Sequence, residues 1–153
     1  MQILPLNISH LESVLDLSLE FGEYLNSIAK QDAGIHDRES QKNRYIQYAF
    51  SENPAFTWYV AEIDDHIVGY AMYHYWFDPD EMQWKVIYLV DFFVSEKARR
   101  KWVGHALIEK LKSHEDSLGL YFWVWKKNIG AIEFYKKMGA DWIEDVPYMK
   151  LIK

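Results

Sequence analysis

Residues 84–94 read WKVIYLVDFFV, and 95–107 continue SEKARRKWVGHAL. The run from Val86 to Val90 is apolar at every position. A strand with one wet face would alternate, so this one reads as central, buried on both faces. The next residues are charged and basic, and Val103, Ala106, Leu107 and Leu111 then recur at helical spacing. A strand that empties through a basic loop into a helix makes an anion site. The first amides of a helix have no intrahelical acceptor, and the helix dipole places partial positive charge beside them. Arg99, Arg100 and Lys101 add three full charges. A pyrophosphate suits such a site, and a solvated basic loop fits the same residues.

Upstream, residues 2–6 form a short edge strand. Ser9, His10, Leu11 and Glu12 make a capping box that opens a helix to about Ile28, with Leu11, Val14, Leu15, Leu19, Leu25 and Ile28 on one broad face. Residues 31–37 read as a loop and 38–51 as a second, more polar helix. Two β-branched and aromatic runs follow, 56–63 and 67–77, joined by a short turn at Asp64, Asp65 and His66. Asp78, Pro79 and Asp80 close the second run. Downstream, 120–125 is a second fully apolar strand. Asn128 caps a further helix, Lys136 and Lys137 fall in its last turn, and Gly139 ends it. Short strands at about 141–144 and 147–152 finish the chain. The order is β-α-α-β-β-β-α-β-α-β-β, an α/β chain with a mixed central sheet and helices on both faces.

At 153 residues, 50 % hydrophobic and 26 % charged, the chain is expected to form one globular domain, 1–153. It has no cysteine, which excludes disulfides, Cys-ligated metal and a covalent Cys intermediate. A reducing, cytoplasmic location fits this composition. No metal is expected. The start lacks the basic region of a secretory signal, and the uncharged stretch 67–77 is shorter than the ~20 residues a bilayer span needs, so no membrane role is expected. Residues 1–96 hold 16 acids against 5 bases, and 97–153 hold 7 against 12. The first part favours a cation and the second a phosphorylated ligand. A sequence pI near 5.5 argues against nucleic acid.

Arg99 and Gly104 fall where motif A of the GCN5-related N-acetyltransferases (GNAT) has Arg/Gln-x-x-Gly-x-Gly/Ala; Trp102 stands in place of the first glycine. Asn128, Ala131, Phe134, Tyr135, Gly139 and Ala140 resemble the family's motif B. The chain is identified as a member of that family. Within it, residues 67–73, Asp78-Pro79 and 88–94 look most like the diamine (spermidine/spermine) N-acetyltransferases.

The resemblance implies a fold whose two central strands splay apart. It implies that acetyl-CoA binds with its pantetheine arm against the backbone near Phe92 and Val94. The amides and side chains of Arg99, Arg100, Lys101, Trp102, Val103 and Gly104 would hold the pyrophosphate, with Asn128 on the other splayed strand. Tyr135 would protonate the departing thiolate, a phenol being a fitting acid for that task; its other role is packing on its helix. The subgroup's usual strand glutamate is Val90 here. Asp91 is the neighbouring acid, but adjacent strand residues face opposite ways unless a bulge intervenes. It is either the base or a structural acid satisfied by amides. Tyr24 matches a substrate-binding position whose neighbouring acid is Leu25 here; Glu20 and Glu23 are the nearest acids on that helix. His74 is a further candidate base. The residue at 102 is expected to be helical already, with no positive φ, and its indole swung outward.

The expected activity is direct acetyl transfer, in a ternary complex, to the primary amine of a small cationic acceptor such as a polyamine or diamine. The alternatives are a protein amine as acceptor, or a degenerate acetyl-CoA-binding sensor. The resemblance also implies a homodimer, for which the aromatic residues at 121–125 and 142–148 offer apolar surface.

Overall fold

A computed structural model describes residues 1–29, 37–78, 83–114 and 119–143. The chain forms two compact units, 1–123 and 124–153.

The first unit is a five-stranded sheet in the order β1-β2-β3-β4-β5. Its strands are β1 (Gln2–Pro5), β2 (Thr57–Ile63), β3 (His66–Asp78), β4 (Gln83–Val94) and β5 (Gly119–Tyr121). The first four pair antiparallel, and β5 pairs parallel with β4. The turn between β2 and β3 is two residues, since Ile63 faces His66. Asp64 and Asp65 both take positive φ, 48° and 60°, as the tightest hairpin turns require, and aspartate tolerates this better than most residues.

Helices α1 (Leu11–Ala29) and α2 (Arg38–Phe50) cover one face. Leu11, Val14, Leu15 and Leu17 are buried with Tyr45, Trp58, Val60, Tyr70 and Phe93. Leu19, Leu25 and Ile28 are only half-buried, so the burying stripe is narrower than the spacing implied. The aromatic share of this core is large: Tyr45 meets Trp58 edge-on at 4.8 Å, and Phe21 lies 5.2 Å from Phe93. Full burial of each such side chain contributes roughly 1.5–3 kcal/mol.

Helix α3 (Val103–Lys112) lies on the opposite face. Trp58 and Val60 turn toward α1, so alternation sends Tyr59 and Ala61 the other way. Accordingly the Tyr59 hydroxyl meets His114 Nε2 at 3.2 Å, just past the end of α3. Val103, Leu107, Ile108 and Leu111 are buried, whereas Ala106 is half-buried. Gly69 permits the close approach of α3. A Cβ there would lie 2.9 Å from the Phe93 carbonyl and 3.4 Å from Val103 Cγ1.

Two further expectations change in this unit. The cap of the first helix is Asn7 rather than Ser9. Asn7 opens a short 3-10 turn (Ile8–His10), its Oδ1 accepting from the Ser9 amide at 2.9 Å while His10 Nδ1 accepts from the Asn7 amide at 3.3 Å. Glu12 is drawn instead to Lys42 and Arg38 of α2, each at 2.7 Å, because charge-assisted bonds outcompete an amide. The strand expected over 120–125 is only β5, and Trp123, past its end, is 60 % exposed.

In the second unit, Asn128 Oδ1 accepts from the Ala131 amide at 3.2 Å and opens α4 (Ile129–Lys137). Gly139 at φ 88° closes it: its N–H bonds Lys136 O and the Ala140 N–H bonds Tyr135 O, both at 3.0 Å. Residues 141–143 form no strand; the last strand expected, 147–152, lies outside the described residues.

Candidate active site

Strand β4 runs for twelve residues, but β5 pairs with it only at Val86, Ile87 and Tyr88. Beyond Tyr88, no strand among the described residues lies on that side of β4. The Ser95 amide donates to Val68 O at 2.9 Å, so the bonds toward β3 fall at 93 and 95. By the alternation of antiparallel ladders, Phe92 and Val94 direct their backbone groups to the open edge. These are the two residues named from the sequence for cosubstrate pairing.

The bulge that Asp91 needed is present. Met72 faces Asp91 and Tyr73 faces Leu89, which leaves Val90 without an opposite residue. The extra residue turns Asp91 to the α1 face, where the Tyr70 hydroxyl donates to its Oδ2 at 2.9 Å. The Phe92 amide donates to Oδ1, also at 2.9 Å. Burial pushes the Asp91 carboxyl up to about 6, against the opposing pull of these two hydrogen bonds. Tyr70 is pushed well above its ordinary value, by burial first and the Asp91 charge second, so it stays a phenol and a donor. Behind it, Tyr45 donates to Ser18 Oγ at 2.9 Å, and Gln41 Nε2 bonds both hydroxyls.

The basic loop divides its labour. Arg99 does not reach outward. Its Nε donates to Val94 O at 3.1 Å, and its guanidinium lies 4.7 Å from the Tyr24 ring and 5.5 Å from that of Phe93. Tyr24 is thereby placed under Arg99. Glu23 is exposed on α1, and Glu20 Oε1 is taken by the Glu96 amide at 2.9 Å. Arg100 and Lys101 are exposed. The first intrahelical bond of α3 runs from the Ala106 amide to Trp102 O, so the amides of Val103, Gly104 and His105 precede it. Three leading amides and two exposed bases are a donor set that fits a pyrophosphate.

Trp102 corrects the expectation of a helical φ. It caps α3 in the left-handed region, at φ 64°, and Arg100 takes φ 62°. Two left-handed residues fold the chain sharply into α3, a geometry glycine adopts without strain and tryptophan does not. Its indole does project outward, 74 % exposed, with the His105 ring at 5.4 Å. His74 Nδ1 lies 3.0 Å from Tyr75 O, the ring packed among Phe56, Trp76 and Tyr88.

In the second unit Asn128 is 7 % exposed and serves as the α4 cap. Tyr135 lies on α4 with the Phe134 ring at 5.2 Å. Sequence reasoning missed Tyr70 as the partner of Asp91. An aromatic strand residue carries no signal of where its hydroxyl ends.

Comparison with known proteins bears on the fold and the family. A human spermidine/spermine N(1)-acetyltransferase-like protein 1 is 29 % identical over 107 residues, 62 % of this chain. That match spans only 15 % of the human protein's length. An integron cassette protein from V. cholerae superimposes with a TM-score of 0.81 at 22 % identity, covering 99 % of this chain and 92 % of its own. AAC(6')-Iy, solved with the bisubstrate analogue CoA-S-monomethyl-acetylneamine, superimposes with a TM-score of 0.70 at 16 % identity, covering 99 % and 98 %. Residues 20–140 match the acetyltransferase (GNAT) family, and the chain belongs to that family.

Proposed function

We propose that the protein transfers the acetyl group of acetyl-CoA to the primary amine of a small cationic acceptor while both are bound. The observation that carries this reading is the parting of β4 from β5 after Tyr88, beside the leading amides of α3. A pantetheine arm can pair along this edge near Phe92 and Val94 as an added strand would, in competition with the bonds that the Phe92 N–H makes to Asp91 and that Arg99 makes to Val94 O. Its pyrophosphate then meets the amides of Val103 and Gly104 and the charges of Arg100 and Lys101. Acetyl-CoA supplies the activated acetyl group.

The side chains divide the proton work. An alkylammonium has a pKa near 10 and must lose a proton before it can attack. Asp91, with its raised pKa, is a better proton acceptor than an ordinary carboxylate yet is still ionised at pH 7. It draws the amine proton off through water, and Tyr135 gives one to the sulfur as the C–S bond breaks. The acidic charge of residues 1–96 favours a diamine or polyamine. A C2 homodimer belongs to the same reading, with Tyr121 and Trp123 as exposed apolar surface.

Calorimetry with acetyl-CoA, followed by product analysis across a panel of amines, tests the reading. The expected result is binding together with an acetylated amine and free CoA thiol. Trp102 at φ 64° favours a second reading, a binder without turnover; binding with no product from any amine would establish it.

A further inference from the structure

Tyr45 and Tyr70 carry their hydroxyls into the core beneath α1 and α2, where both side chains are buried. A buried hydroxyl needs an acceptor for its hydrogen, since it has given up water. The hydrogens here can be followed one by one. At the α2 end, the Arg44 guanidinium donates to Gln41 Oε1 at 3.2 Å. A guanidinium cannot accept, so that side of the amide is its oxygen and the other side its NH2. The NH2 donates twice, to Ser18 Oγ of α1 at 2.6 Å and to the Tyr45 hydroxyl at 2.8 Å. Tyr45 passes its own hydrogen to Ser18 Oγ at 2.9 Å. Ser18 Oγ then accepts twice, and its hydrogen is left for Tyr70, where this bond opposes the rise that burial and then the Asp91 charge impose on the phenol. Tyr70 donates in turn to Asp91 Oδ2 at 2.9 Å.

Every hydrogen in the chain thus points one way, from a group that only donates, Arg44, to one that only accepts, the Asp91 carboxylate. Reversing the Tyr45–Ser18 bond would leave the Tyr45 hydrogen without its acceptor and Tyr70 without its donor. A neutral Asp91 fits less well, because a proton on Oδ2 would face the Tyr70 hydrogen and one on Oδ1 the Phe92 N–H. Among the described residues, the titratable and charged groups along the chain are Tyr70 of β3, which bonds Asp91, and Tyr45 and Arg44 of α2. Helix α1 gives the Ser18 hydroxyl, and β4 the Phe92 amide.

We propose that Ser18 and Gln41 are positioning residues for Asp91, acting through Tyr70. The Gln41 amide aligns Ser18, and Ser18 holds Tyr70 as the donor that aims the carboxylate and favours its ionised form. The inference rests on reading Asp91 as the proton acceptor of acetyl transfer. It places part of the control of that acid on α1 and α2, far in sequence from β4. Polarisation along such a chain strengthens each bond by about 10–30 %. The bond at stake is one to a charged group, so loss of Ser18 should move the Asp91 titration upward by about 0.3–0.6 pH unit.

The test follows the Asp91 carboxyl carbon by NMR in the full-length, 13C-labelled protein, the resonance assigned by its loss in Asp91→Asn. Ser18→Ala should move its midpoint upward by at least about 0.3 pH unit, and Ser18→Thr, which keeps the hydroxyl, should restore it. Gln41→Met, which keeps the length and removes the donor, should move it the same way and serves alone if Ser18→Ala does not fold. A smaller or downward change, or failure of Ser18→Thr to restore the midpoint, overturns the proposal. Lowered melting with the midpoint unmoved overturns it too and leaves Ser18 a packing residue. The acidic limb of kcat/KM should move with the resonance. If the resonance moves and the limb does not, Asp91 is not the proton acceptor and the parent reading of its role fails instead, so the two failures are distinct.

Discussion

The Tyr70 hydroxyl on β3 donates to Asp91 Oδ2 on β4 at 2.9 Å, and this bond crosses the sheet next to a bulge. It joins the one partly buried acid of β4 to the core beneath α1. The raised pKa of Asp91 is a balance: burial lifts it, and Tyr70 with the Phe92 amide holds it down.

That balance predicts a pH signature. The folded-state pKa of about 6 lies above the ordinary 3.8. The group's contribution to stability is therefore complete below about pH 4 and lost as pH rises through 6, by about 2–3 kcal/mol. Denaturant titrations should show this decline in the wild type and not in Asp91→Asn. The acidic limb of kcat/KM should fall near pH 6, disappear in Asp91→Asn with most of the rate, and move upward in Tyr70→Phe, which removes a bond to the charged form.

Trp102→Gly should raise stability, because glycine takes φ 64° without the ~1–2 kcal/mol strain carried by an L side chain. Acetyl-CoA affinity should change by less than about tenfold, since the indole already points away. Thermal melting and calorimetry read the two quantities separately. A gain in affinity much beyond tenfold would show that the indole obstructs the wild-type site.

Within the basic loop, Arg99→Ala should act on the fold, costing about 1–3 kcal/mol through the lost Val94 bond and the uncovered Tyr24 ring. The pair Arg100→Ala and Lys101→Ala should leave melting within about 1 kcal/mol and weaken acetyl-CoA binding, more at low salt than at high. Calorimetry at two ionic strengths separates the roles.

Tyr135→Phe should lower kcat by about 100- to 10,000-fold with acetyl-CoA affinity and melting little changed. A fall below threefold with a good acceptor would make Tyr135 a packing residue.

What could be read in advance follows a physical line. The Asp64–Asp65 turn, the Asn128 cap and the Gly139 stop were legible because each depends on a few adjacent residues with special backbone or side-chain chemistry. The bulge at Val90 was not, because an apolar run shows no break in its alternation when one residue is added. Asn7 and Ser9 are both good caps two residues apart, and the choice between them rests on which bonds the following turn completes. Arg99 was read by its charge, whereas its place is decided by a carbonyl on β4 and a ring on α1. Such long-range partners leave no mark on local sequence.

The backbone of Phe92 and Val94, turned to an edge that β5 abandons after Tyr88, has a consequence of another kind. An uncovered strand edge is a template on which any other strand can add, and proteins ordinarily blunt such edges with lysine, proline or a covering loop. Here the edge is flanked by Leu89 and Phe93, its acid Asp91 is turned inward to Tyr70, and the Asp91 carboxylate and Arg99 side chain hold only the Phe92 N–H and Val94 O. On the proposed reading, the stretch of edge that takes the ligand is thus also one where a strand of another copy can add. A cosubstrate bound there would compete with such pairing, so the unliganded form is the one to handle dilute.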